Sequence, residues 1–118
     1  MIEISLEPVT KKNSQRIIYK NGKPCIIPSK AYKQYEKNAM WFLPPLGVDV
    51  PVNVKCLFYM KTHRKVDLTN LLEAVDDVMV KAGTLKDDNC EIVAGHDGSR
   101  VYYDKENPRT EIYFEEIE

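Results

Sequence analysis

Across residues 68–82 the apolar side chains Leu68, Leu71, Leu72, Val75, Val78, Met79 and Ala82 recur at the helical period and make one contiguous stripe. Gly83 is a natural stop. A helix patterned this way has to be packed on something, and its partner stands just upstream. Val52, Val54, Cys56 and the run Leu57-Phe58-Tyr59-Met60 are β-rich with a mostly apolar end and read as a central strand. The basic segment Lys61-Thr62-His63-Arg64-Lys65 joins the two, so the strand leads directly to Asp67.

The remaining elements are predicted around this pair. Met1-Ile2-Glu3-Ile4-Ser5-Leu6 alternates with period two and reads as a half-buried first strand ending at Pro8. Arg16-Ile17-Ile18-Tyr19 and Pro24-Cys25-Ile26-Ile27 flank Asn21-Gly22, a pair suited to the positive φ angles of a tight hairpin. Ser29 can cap a helix in which Tyr32, Tyr35, Ala39 and Phe42 share a face until Pro44-Pro45, with Lys30, Lys33 and Lys37 on the other. Cys90-Glu91-Ile92-Val93-Ala94 and Thr110-Glu111-Ile112-Tyr113-Phe114 read as strands, with the Asp104 to Pro108 region as the turn between them. Together they predict an α+β fold: one small domain over residues 1–118, a mixed β-sheet with two packed helices and an N-terminal hairpin.

Charge divides the chain in two. Residues 1–66 hold 12 Lys and Arg against 4 Asp and Glu, net +8, and residues 67–118 hold 5 against 14, net −9. The near-zero total hides two opposed halves. There is no apolar run of about 18 residues and no secretory signal, so a cytoplasmic protein without a membrane span is expected. Three cysteines, Cys25, Cys56 and Cys90, lack zinc spacing and are odd in number, which predicts buried or semi-buried free thiols. His63 and His96 lie far apart and have no ligand-type spacing.

Taken residue by residue, the acidic half has structural explanations as well as chemical ones. Asp67 suits a helix N-cap, and Asp87-Asp88-Asn89 suits a solvated turn. At about 100° per residue, Asp67, Asn70, Asp77 and Lys81 fall along one edge of the stripe, with Glu73 farther round toward solvent. Asp77 and Lys81 have the i,i+4 spacing of a surface ion pair. Lys30, Lys33 and Lys37, joined to Lys11, Lys12, Arg16, Arg64, Lys65 and their neighbours, form either a solvated basic face or a phosphate-binding surface. Tyr19, Tyr32 and Tyr35 suit base stacking, a core or a dimer interface. The segment Glu115-Glu116-Ile117-Glu118 reads as a frayed tail.

The ordered set Asp67-Leu68-Thr69-Asn70-Leu71, Asp77, Lys81-Ala82-Gly83 and Asp87-Asp88 resembles the RusA family of Holliday-junction resolvases. Pro8, Asn13, Arg16 and Tyr19 add a looser echo. The resemblance implies a homodimeric endodeoxyribonuclease of bacterial or phage type that cuts branched DNA, four-way junctions above all, in recombination, repair or phage DNA processing. It implies magnesium or manganese (Mg2+ or Mn2+) as cofactor, with Asp67 and Asp88 as principal ligands, Asp87 as a further ligand, and Glu73 and Thr69 assisting. Two positions depart from the family pattern: Thr69 stands for a second carboxylate and Glu73 for a lysine. Lys65 or Lys81 is left to supply that cation. The rival expectation is a branched-DNA-binding protein whose metal site is degenerate.

Overall fold

The computed structural model describes residues 1–11 and 15–117, and the side chains of all of these except residues 15, 16 and 28. Its strands and helices run β1 Ile2–Ile4, β2 Gln15–Lys20, β3 Lys23–Pro28, α1 Lys30–Ala39, β4 Val52–Met60, α2 Leu68–Lys81, β5 Val93–Gly95, β6 Arg100–Tyr103 and β7 Arg109–Glu116. The fold is α+β, as the patterning predicts. A single turn of 3-10 helix, Met40–Phe42, extends α1 toward Pro44.

Strand β4 is the centre of a five-stranded sheet. Antiparallel β7 lies on one side of it, with β1 beyond. On the other side two short strands run parallel to successive parts of β4, β5 near Val52 and β6 along Leu57 to Met60. Val52, Val54, Cys56, Phe58 and Met60 of β4 join Ile4 and Ile112 in the core, together with Tyr32, Tyr35 and Ala39 of α1 and Leu71, Val75, Val78 and Met79 of α2. Burying each of the larger aliphatic side chains contributes about 1.5–3 kcal/mol. Both helices therefore cover the same face of the sheet, and the opposite face carries Lys55, Tyr59, Arg109 and Tyr113 in cation–π and ion-pair contacts.

The ends of the helices are fixed by local chemistry. Ser29 Oγ accepts from Tyr32 N at 3.2 Å and starts α1. At the far end of α2, Gly83 adopts a positive φ of 80°. This turn lets Thr84 N donate back to Met79 O at 2.9 Å, a helix stop that an L side chain would strain. Thr84 Oγ1 then donates to Pro44 O, and Lys86 N to Val48 O, so the segment leading to Asp87 and Asp88 is tied to the loop after α1.

The hairpin forms with Asn21 and Gly22 both at positive φ. Several expectations need correction. The fifth strand is only Val93–Gly95, because residues 89–92 are held in a turn by Asn89. A strand that the patterning did not predict, β6, lies between the two predicted strands, before the turn at Asp104. Glu115 and Glu116 are not frayed but pair with Asn53 and Val52. Cys56 is buried and Cys25 partly so, whereas Cys90 is exposed. Among the described residues no helix is long and apolar enough to cross a membrane.

Candidate active site

Asp67 stands where the basic connection after β4 enters α2. Its backbone is extended, and Oδ1 accepts from Thr69 N at 3.0 Å and from Thr69 Oγ1 at 2.7 Å. It is an N-cap, and it remains exposed to solvent. Thr69 accordingly acts through Asp67: its hydroxyl donates to the carboxylate and fixes that group's orientation. Arg64 and Lys65, immediately upstream, are exposed.

The second acidic group lies on the loop after α2. Asp87 Oδ1 accepts from Asp88 N at 2.8 Å and Oδ2 from Asn89 Nδ2 at 3.0 Å. These donors, the Asp88 backbone first, lower its pKa. Both Asp87 oxygens are thus engaged in shaping the turn that presents the exposed Asp88. Asp88 lies close enough to Asp76 for its charge to be felt there.

Asp76, whose carboxyl feels the charge of Asp88, is a residue the sequence did not single out. On α2 it follows Thr69 and Glu73 at i+7 and i+3, which puts the three on one side of the helix. It is only 8% exposed. Oδ2 meets His96 Nε2 at 2.8 Å, and His96 Nδ1 meets Val54 O at 2.8 Å. Because a carbonyl oxygen only accepts, Nδ1 must carry a proton, and the short Nε2 to Oδ2 contact requires another proton between those atoms. The pair is therefore neutral as a unit, either as imidazole with carboxylic acid or as imidazolium with carboxylate. Burial pushes the Asp76 carboxyl up, against the pull of His96 and with help from the charges of Asp88 and Asp77. The hydrogen bond to Asp76 pushes His96 up despite desolvation. Both shifts keep the shared proton in place.

This pair sits in a segment stitched to β4. Asn53 donates to Asp97 O and accepts from Asp97 N, while Cys56 N donates to Ser99 Oγ. Side chains replace the ladder bonds that β5 gives up. Asp76 Oδ1 is buried with no hydrogen-bond partner among the described residues.

The other edge of α2 is occupied differently from the predicted pairing. Lys81 Nζ lies 2.9 Å from each oxygen of Glu36, and Asp77 lies 3.6 Å from Lys11 Nζ. Asp77 and Lys81 therefore tie α2 to α1 and to the N-terminal segment rather than to each other. Lys30, Lys33 and Lys37 are exposed along α1. Lys12, Asn13 and the Arg16 side chain lie outside the described residues. Tyr32 and Tyr35 are buried, which removes them as stacking surfaces, whereas Tyr19 is exposed on the hairpin.

Among the described residues, no three His, Cys, Asp or Glu side chains converge to hold a metal ion. What the donor set offers is exposed carboxylate oxygen at Asp67 and Asp88. That suits a hard cation which takes one or two protein carboxylates and completes its shell with water and substrate phosphate.

Residues 5–115 match the family described as Endodeoxyribonuclease RusA. The chain belongs to the RusA family. A relative within it, the crossover junction endodeoxyribonuclease RusA of Aquifex aeolicus (strain VF5), is 30% identical over 92 residues, covering 75% of this chain and 72% of the relative. The match takes in the β4–α2 junction, the Asp87-Asp88 loop and β7, so RusA-family membership extends over both acidic groups and the basic connection between β4 and α2.

Proposed function

We propose that this RusA-family chain is a homodimeric, metal-dependent endonuclease that cuts branched DNA, four-way junctions before others. The observation that carries the proposal is Asp67: an exposed carboxylate, held by Thr69 at the start of α2, directly after a connection rich in lysine and arginine. The Aquifex relative's name supplies the junction as substrate class.

In this reading Asp67 and Asp88 hold a magnesium or manganese ion, and Asp87 keeps Asp88 presented. The ion supplies charge neutralisation at the phosphate and acidifies a bound water. Thr69 orients Asp67, while Glu73, exposed on the same side of the helix, offers a further carboxylate. In this reading the exposed Arg64 and Lys65 meet phosphates beside Asp67, in the role left open by Glu73; Lys81 is the weaker choice, being engaged with Glu36. A homodimer supplies two cutting centres related by a two-fold axis, matching the near two-fold symmetry of a four-way junction.

A second reading, junction binding without efficient cutting, draws on the engagement of Thr69 with Asp67 and of both Asp87 oxygens with their own turn. Strand cleavage of a fixed four-way junction beside a linear duplex, in magnesium, manganese or EDTA, separates the two. Paired cuts on the junction with either metal and none in EDTA support the endonuclease; tight binding without cuts supports the second reading.

A further inference from the structure

Strand β6 forms an exposed edge of the sheet, with Tyr102 43% and Tyr103 44% exposed. Successive side chains of a strand point to opposite faces. Tyr102 stacks on Tyr59, with ring centroids 5.2 Å apart, and Tyr103 stacks on His63 at 3.6 Å. Two neighbouring grooves share Val101 and Tyr102. One runs back to Leu68, the residue after Asp67. The other is lined by Tyr103 and His63 and bordered by Arg64.

The charged side chains that line the two grooves have one sign. Neither groove is lined by Asp or Glu, and Arg64 and Arg100 each border one of them. Lys61 and Lys65 are exposed on the same connection as His63. Flat rings beside cations, with no carboxylate in either groove lining, suit a planar group attached to a phosphate backbone. Strand addition by another protein is poorly served, because β6 offers only four residues and begins with an arginine.

We propose that the β6 edge, with Tyr103 and His63 at its centre, stacks unpaired bases at the branch point of a DNA junction and so distinguishes branched from linear DNA. The proposal rests on the branched-DNA reading above. Bases in an intact duplex are already stacked on one another, whereas those at a branch point can be splayed onto a ring. The groove that reaches Leu68 links this surface to Asp67, which places the scissile strand's neighbouring bases and its phosphate on adjoining parts of the protein.

The test is equilibrium binding in EDTA, so that nothing is cut, using a four-way junction with 2-aminopurine at the branch point, the same junction labelled in mid-arm, and a linear duplex. Wild type is compared with Tyr103→Leu and His63→Leu, both changes at exposed positions, and light scattering records the oligomeric mass of each. The expected result is a loss of junction affinity of about fivefold to a hundredfold in each variant, with duplex affinity unchanged. The branch-point fluorescence should respond to wild type, respond less to the variants, and leave the mid-arm signal still. Variants that match wild type on the junction, when wild type prefers junction over duplex, overturn the stacking surface alone. A wild type without junction preference overturns the branched-DNA reading as well. A fall in mass with loss of both affinities makes the edge a subunit contact and overturns the proposal.

Discussion

Asp67 caps helix α2 and Asp76 lies within it, and the two are held in opposite ways. Asp67 is exposed, and its charge is met by the backbone N–H and hydroxyl of Thr69. Asp76 is buried and is met by His96, which in turn is fixed to Val54 of the central strand. A carboxylate that caps a helix start keeps its access to solvent. One satisfied by a buried imidazole has given its charge to a neutral pair, and its work is to clamp α2 against the sheet. The contrast shows how one acidic stretch holds both a solvent-facing cap and a buried clamp.

The largest expected effect on folding comes from His96→Ala, which leaves the buried Asp76 without its partner. Breaking a buried pair costs roughly 3–5 kcal/mol, but here about 2–3 kcal/mol is expected, because His96 is partly exposed and Asp76 can take up a proton. Chemical denaturation measures it, and a loss under about 0.5 kcal/mol would erase the clamp.

Asp76→Asn sharpens the comparison through pH. In the wild type the raised His96 value means that the pair's contribution is fully present below the unfolded imidazole value of about 6.5 and is lost as pH rises through the folded value. The asparagine amide can donate to His96 Nε2 and preserve the contact with a neutral imidazole. The variant should lose the alkaline decline and instead weaken below about pH 6.5, where the unfolded histidine takes up a proton that the folded one resists. Melting temperature measured across pH 5 to 9 shows whether the slope changes sign.

At Asp67 the helix start can be separated from the chemistry. Asparagine caps about as well as aspartate, so Asp67→Asn should leave stability nearly unchanged, while Asp67→Ala should cost about 1 kcal/mol. Equal losses in the two would show that the cap geometry does not govern this position. The smallest effect belongs to Lys81→Ala: its pairing with Glu36 is on the surface, and thermal unfolding should register under about 1 kcal/mol.

Much of this fold was legible because strong periodicities leave little freedom. The stripe of α2, the alternating inward positions of β4 and the Asn21-Gly22 turn each have one geometry that satisfies them. Strand β6 was not legible, since Arg100, Val101, Tyr102 and Tyr103 are all exposed and no alternation marks a buried face. Strand β5 was overextended at its start because Asn89 accepts from Glu91, Ile92 and Val93 and holds that stretch in a turn, which apolar patterning does not reveal. At the candidate site, Asp67 and the Asp87-Asp88 loop were singled out by their ordered resemblance to the RusA family. Asp76 was hidden within that same acidic run. A signal for it existed, because Leu72 and Val80 at i−4 and i+4 and Met79 at i+3 surround it with apolar neighbours, which marks a carboxylate that must be buried and paired. Its partner His96 is 20 residues away, and only the packing of α2 beside β4 brings them together.

The most direct measurement is single-turnover cleavage of a fixed four-way junction in magnesium by wild type, Asp67→Asn and Asp76→Asn, with thermal unfolding recorded for each. Asp67→Asn should lose cutting by about a hundredfold or more while melting like the wild type, and Asp76→Asn should keep cutting within about tenfold. A folded Asp67→Asn that cuts at the wild-type rate would contradict the account, as would a folded Asp76→Asn that alone abolishes cutting.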